Sequence, residues 1–284
     1  MKKRRFGLGL LLIVMCCTIV AALSSGQQVS DEIIGSLNKL SNDRPDQRIE
    51  GFYRLIEIGN NGDLRGNVSM IPAALSRLFV KVPERADEIK LKLIGLLERE
   101  NSFIKESEKK YQTSGEALSE EYVNYHGDLI ATVSALKDIR SMSALLGCIG
   151  NGEMVIDGLV ALGQAAVEPL AGQLNSKDEL VRQSATIVLA HMIEANKIAI
   201  QSNPIAMTTI KRALIQSAQD DFHYTRLSAV EGLRNFAQEN DQEVVLLLER
   251  LSQSDPYVAS QNGKDPNRYP VREAAKKALQ RKIN

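Results

Sequence analysis

From Val29 onward apolar residues recur at offsets of three and four, the spacing that gathers them on one stripe of an α-helix. The clearest stretch carries Val167, Pro169, Leu170 and Leu174, then a polar turn over 175–179, then Val181, Ala185, Val188, Leu189 and Met192. This reads as two helices joined by a short turn. The second-helix phrase returns downstream: Arg182, Ala185, Val188 and Leu189 are echoed by Arg226, Ala229, Gly232 and Leu233, and again by Arg272, Ala275, Ala278 and Leu279. The repeated arginines lie 44 and 46 residues apart, and a weaker copy runs through Arg48, Gly51, Phe52 and Leu55. The pattern predicts first helices over about 30–40, 69–79, 141–149, 165–174, 204–217 and 242–252. Second helices are expected over about 46–58, 84–99, 154–162, 178–194, 224–238 and 271–281. The stretch 101–125 has no such stripe and reads as a polar excursion leading to an extra helix over 125–139.

These residues resemble HEAT-like repeats, whose units are antiparallel helix pairs of about 40 to 47 residues. The resemblance covers most of the chain after residue 26 and is strongest from about residue 141. It implies an all-α fold, an α-solenoid in which stacked helix pairs form a right-handed superhelix, irregular over 27–140 and regular over 141–284. A lone pair cannot bury its apolar stripe, so neighbours stack, and the small residues three and six positions after each arginine let helices approach closely. The resemblance also reads the arginines and the turn acids before them as a structural ladder: Asp43 with Arg48, Asp178 with Arg182, Asp221 with Arg226, and Asp265 with Arg272. It implies a non-catalytic scaffold with another protein as partner. HEAT-like repeats also occur in phycobilin lyases, which keeps a lyase-like or chaperone-like protein as the rival class.

Composition agrees with helices packed by aliphatic side chains, since aromatics make up 5% of the chain and Trp is absent. The formal net charge is zero, 35 basic residues against 35 acidic. That balance argues against a nucleic-acid partner, which a basic footprint would announce, and against disorder driven by charge. It conceals an uneven distribution. Residues 1–26 hold four basic groups and no acidic one, residues 27–263 hold 24 basic and 33 acidic, and residues 264–284 hold seven basic and two acidic.

The first segment explains part of that asymmetry. Lys2, Lys3, Arg4 and Arg5 precede a run from Phe6 to Leu23 without a charge, the arrangement of an export signal. Small residues at Ala22, Ser24 and Gly26 suit cleavage, whereas the 18-residue run is also long enough to stay in a bilayer as an anchor. The expected location is therefore the bacterial periplasm. The alternatives are an inner membrane holding residues 6–23, or secretion. Cys16 and Cys17 fall in this segment, leaving Cys148 alone in an apolar run, where it reads as a small buried hydrophobe.

Catalytic constellations are missing from the sequence: no Gly-rich phosphate loop follows a strand, and no nucleophile elbow surrounds a serine. His126, His191 and His223 fall in separate units, with no second ligand at zinc spacing. Two oxygen-rich stretches, Asn60–Asn67 and Asp255–Asn267, lack the order that calcium requires. No catalytic residue, cofactor or metal is expected. The long insertion over 253–269 in the last unit is the candidate binding element, with Tyr257, Lys264, Arg268 and Tyr269, continued on the final helix by Arg272 and Lys276.

Overall fold

The computed structural model describes residues 27–60, 70–195, 200, 202–259 and 268–280. The leader over 1–26, Lys264 and Asp265 lie outside the described residues. Among the described residues every regular element is helical, apart from one isolated bridge between Ala259 and Arg268. Among the described residues the α-helices follow in order: α1 over 27–40, α2 Pro45–Gly59, α3 Ile71–Lys81, α4 Ala86–Ser114, α5 Glu120–Leu136, α6 Met142–Gly147 and α7 Glu153–Ala161. Then come α8 Val167–Gln173, α9 Glu179–Ala195, α10 Pro204–Ser217, α11 His223–Gln238, α12 Gln242–Ser254 and α13 Pro270–Leu279. The chain is an all-α solenoid of stacked helix pairs, divided into two compact units, 1–132 and 133–284. No single helix among the described residues is long and apolar enough to cross a membrane.

In the second unit α9, α11 and α13 lie side by side, each paired with a first helix, α8, α10 or α12. The residues three and six positions after each arginine line the contacts. Ala185, Val188, Ala229, Ala275 and Ala278 are buried, and a Cβ on Gly232 would come within 2.8 Å of Ala190 Cβ. Only hydrogen fits there, which sets the approach of α11 to α9. Local chemistry starts several helices where the stripe predicts them. Asn203 accepts from the amides of Ile205 and Ala206 ahead of Pro204 at the first turn of α10, and Asp241 accepts from Val244 at the start of α12.

The stretch 101–125 departs from expectation. α4 continues through it to Ser114, and α5 begins at Glu120. From Lys105 to Ser114 all residues except Ser107 are exposed, so no apolar stripe marks this helical end. It is built from good helix formers such as Glu and Lys rather than from a buried face. Gly115, at φ 72°, ends it in the left-handed conformation and donates its N–H to Tyr111 O at 2.9 Å. Ser119 Oγ then accepts from Tyr122 N at 3.2 Å, which starts α5 earlier than its apolar period suggests. Lys137, at φ 50°, stops α5 before Ile139.

Candidate functional site

Each repeated arginine runs back along its helix toward the turn, as helical side chains do. Arg182 Nη1 donates to the carbonyls of Ser176 and Lys177 at 3.0 and 3.3 Å, while Nε and Nη2 straddle the Asp220 carboxylate at 2.7 and 3.0 Å. Arg226 repeats this with the carbonyls of Asp220 and Asp221, at 2.8 and 2.9 Å, and the carboxylate of Asp255, at 2.7 and 3.2 Å. Arg48 does the same with the carbonyls of Asn42 and Asp43, at 3.2 and 2.7 Å, and with Glu100.

The carboxylates are therefore not the turn acids expected from sequence. Asp43 and Asp221 offer the arginines their backbone carbonyls, and Asp178 Oδ1 accepts from Leu180 N at the start of its own helix. The side chain is long enough to pass over its own turn and reach the next element. Asp265 lies outside the described residues, and Arg272 instead donates Nε to Asp255 O at 2.6 Å. The Arg182–Asp220 bond holds the guanidinium above its ordinary range. Burial pushes the Asp220 carboxyl up, but Arg182 and the Phe222 amide outweigh it and leave it below the usual carboxylate range.

In the first unit Arg48 belongs to a buried polar seam between α2, α4 and α5. Glu100, fully buried, accepts from Arg48 Nε and Nη2, from Tyr122 Oη, and from Tyr125 Oη at 3.2 Å. Tyr53 Oη donates to Asp128 at 2.8 Å, and His126 Nε2 lies 3.1 Å from Asn101 Oδ1. Phe52, Tyr53, Tyr122 and Tyr125 pack edge-on around these groups. Burial raises all three phenols and lowers His126.

That histidine makes stability depend on pH. Its folded pKa lies below its unfolded value of about 6.5, so the unfolded chain binds the extra proton. Stability is full above about pH 6.5 and falls as pH drops from there toward the folded value. Urea unfolding between about pH 8 and 5 is expected to show this decline, and His126→Gln is expected to lessen it, leaving the share of His223, whose pKa burial also lowers. An unchanged slope in that variant would assign the effect elsewhere.

The second unit presents a groove where α9, α11 and α13 lie together. Its volume is about 290 Å³ and its floor is Ala190, Gly232 and Ala278. Along its rim stand His191 and Glu194 from α9, Glu231, Arg234 and Asn235 from α11, and Lys277 from α13. Arg234 and Glu194 pair at 3.3 Å across the surface. The rim thus offers donors, acceptors and both charge signs around a floor of small residues. Among the described residues no group of three His, Cys, Asp or Glu side chains is placed to hold a metal ion. These rim residues keep the repeat's register. Glu231 and Lys277 each follow their repeated arginine by five positions, and His191 and Asn235 each follow theirs by nine.

The described candidate binding residues of the insertion lie at the starts of α11 and α13, and Lys264 lies outside the described residues. Tyr257 stacks on His223, with ring centroids 3.6 Å apart and planes 14° from parallel, at the start of α11. His223 Nε2 is buried there with no hydrogen-bond partner among the described residues, and burial lowers its pKa. Arg268, Tyr269 and Arg272 gather instead at the start of α13. The carbonyl of Arg268 accepts from Ala259 N at 2.8 Å, and the Arg272 guanidinium lies 4.1 Å from the Tyr269 ring centre. Lys276 is exposed one turn further along. Cys148 is buried, its thiol against the Ala144 carbonyl.

No protein-family model matches this chain, and no curated protein matches it. Among solved structures it is similar to a computationally designed armadillo repeat protein for modular peptide recognition. That likeness has 18% identity, covers 87% of this chain and 98% of the other, and has a TM-score of 0.45. It is also similar to an engineered protein at 18% identity, over 87% of this chain and 94% of the other, with a TM-score of 0.40. At these values the fold assignment stands on the helix packing itself, which makes the chain an all-helical repeat protein.

Proposed function

We propose that this chain is an exported, non-catalytic scaffold of the cell envelope that holds a segment of another protein along the groove of α9, α11 and α13. The groove carries the proposal: three equivalent helices set a continuous floor of small residues under a rim of mixed charge and hydrogen-bonding groups. Such a rim recognises a polar segment by hydrogen bonds and charge register. The basic residues 2–5 and the uncharged run 6–23 support export.

A photo-crosslinking residue at Ser228, on the groove, is expected to capture a reproducible partner in cells, and one at exposed Ile205 on α10 is not. Arg234→Glu is expected to reduce that capture by about tenfold, equivalent to about 1.4 kcal/mol. Equal capture at both positions would remove the groove from consideration.

The same uncharged run supports a second reading, a membrane-tethered component, because its length suffices to span a bilayer. Amino-terminal sequencing separates the two: a start near Ser25–Gln27 means a released protein, and an intact Met1 means a tethered one.

A further inference from the structure

We propose that Asn151 is a site of spontaneous modification, at which the backbone nitrogen of Gly152 attacks the side-chain amide and converts the residue to aspartate or isoaspartate without an enzyme. The turn between α6 and α7 supplies what that reaction needs. Gly150, Asn151, Gly152 and Glu153 are all exposed. No atom among the described residues lies within 4 Å of where a Cβ would stand on Gly150 or Gly152, so a succinimide ring has room to form and water reaches it. Asn151 N donates to Cys148 O at 2.9 Å, which holds the near side of the turn. Neither the Asn151 carboxamide nor the Gly152 N–H has a hydrogen-bond partner among the described residues, so the two groups are free to meet.

The fold sets this asparagine apart from others on the surface. Gly152 is the N-cap of α7, so its N–H stands outside the helical ladder, and with no Cβ it leaves that nitrogen unshielded. Asn38 and Asn124 are also exposed, but they lie within α1 and α5, where the next amide is tied into the ladder. Asn61 and Asn262 also precede glycines and lie outside the described residues.

The reaction balances with water as its co-reactant. The Gly152 nitrogen loses its proton and bonds to Asn151 Cγ, the Cγ–Nδ2 bond breaks, and Nδ2 leaves as ammonia with that proton. Water then opens the ring. Cleavage between Cγ and the nitrogen gives aspartate, whereas cleavage between the main-chain carbonyl carbon and the nitrogen leaves the chain running through Cγ as isoaspartate. Either product places a new carboxylate, ionised at neutral pH, beside the first turn of α7, where Glu153 already stands. Isoaspartate also adds a methylene to the backbone of the turn.

The test is peptide mapping by mass spectrometry of the folded full chain after incubation at about pH 8, with isoaspartate resolved from aspartate by chromatography. The peptide holding Asn151 is expected to gain the mass of an amide-to-acid exchange and to yield both products. Its conversion is expected to run at least about tenfold faster than that of Asn38 and Asn124, which react only when α1 or α5 opens. The rate is expected to rise about tenfold between about pH 7 and about pH 8, because the attacking nitrogen has to lose its proton. Asn151→Gln, whose longer side chain closes the ring poorly, is expected to lose the conversion, and its place on an exposed turn leaves the fold intact. No conversion at Asn151, equal rates at the three asparagines, a rate that ignores pH, or a mass gain that persists at the parent's rate in Asn151→Gln would each overturn the proposal.

Discussion

Glu100→Ala is expected to destabilise the first unit by about 3–5 kcal/mol, because it breaks a buried ion pair by removing one partner. Glu100 is 0% exposed and Arg48 is 2% exposed, so water cannot replace what the carboxylate supplies. Burial disfavours the Arg48 charge, and Glu100 more than offsets it, holding the guanidinium above its ordinary range. Without that carboxylate, Arg48 keeps only its two turn carbonyls, and the hydroxyls of Tyr122 and Tyr125 lose their acceptor in a ring-lined interior. Urea unfolding followed by circular dichroism measures the loss, and hydrogen exchange locates it in α2, α4 and α5. A loss under about 1 kcal/mol would mean that the seam is wet and that the pair behaves as a surface one. Glu100→Gln preserves shape but removes the charge facing Arg48, so a substantial share of the loss is expected from it too.

The second large effect is expected at Asp255, whose side chain is 1% exposed. One residue ties three elements. Its carboxylate receives Arg226 from α11 and the Tyr257 amide, and its carbonyl receives Arg272 from α13. Asp255→Ala retains the carbonyl but leaves the buried Arg226 without its counter-charge, again at a cost of about 3–5 kcal/mol. Glu194→Ala is the control, since the exposed Glu194–Arg234 pair on the groove rim is worth about 0–1 kcal/mol. Chemical denaturation of both variants gives the comparison. Equal losses would show that burial does not set the strength of these pairs. The Tyr257–His223 stack lies next to the altered site, so loosening of that stack is expected to accompany the Asp255 change.

Much of the architecture is legible without coordinates. The three-and-four spacing of Val167, Leu170, Val181, Ala185 and Val188 is a local property, and a helix that carries such a stripe has to bury it against a neighbour. Helix existence, pairing and the small residues at the contacts follow from that alone. The boundaries of α10 were readable for the same reason, because Asn203 and Pro204 act within one turn. The extension of α4 to Ser114 was readable only through propensity and Gly115, since an exposed helix shows no stripe.

The sequence by itself thus determined an all-helical chain of stacked pairs, with arginines recurring at the starts of second helices. Only the tertiary structure decided what those arginines hold. Their carboxylates come from 52, 38 and 29 residues downstream, at Glu100, Asp220 and Asp255, distances that no local period encodes. It also decided that His191, Glu194, Arg234 and Lys277 share one groove, that Tyr257 stacks on His223, and that the Arg272 guanidinium lies against the Tyr269 ring. The physical reason is common to both. A helix dictates which residues share its own face, whereas the partner across that face depends on how far each side chain reaches once the helices are packed.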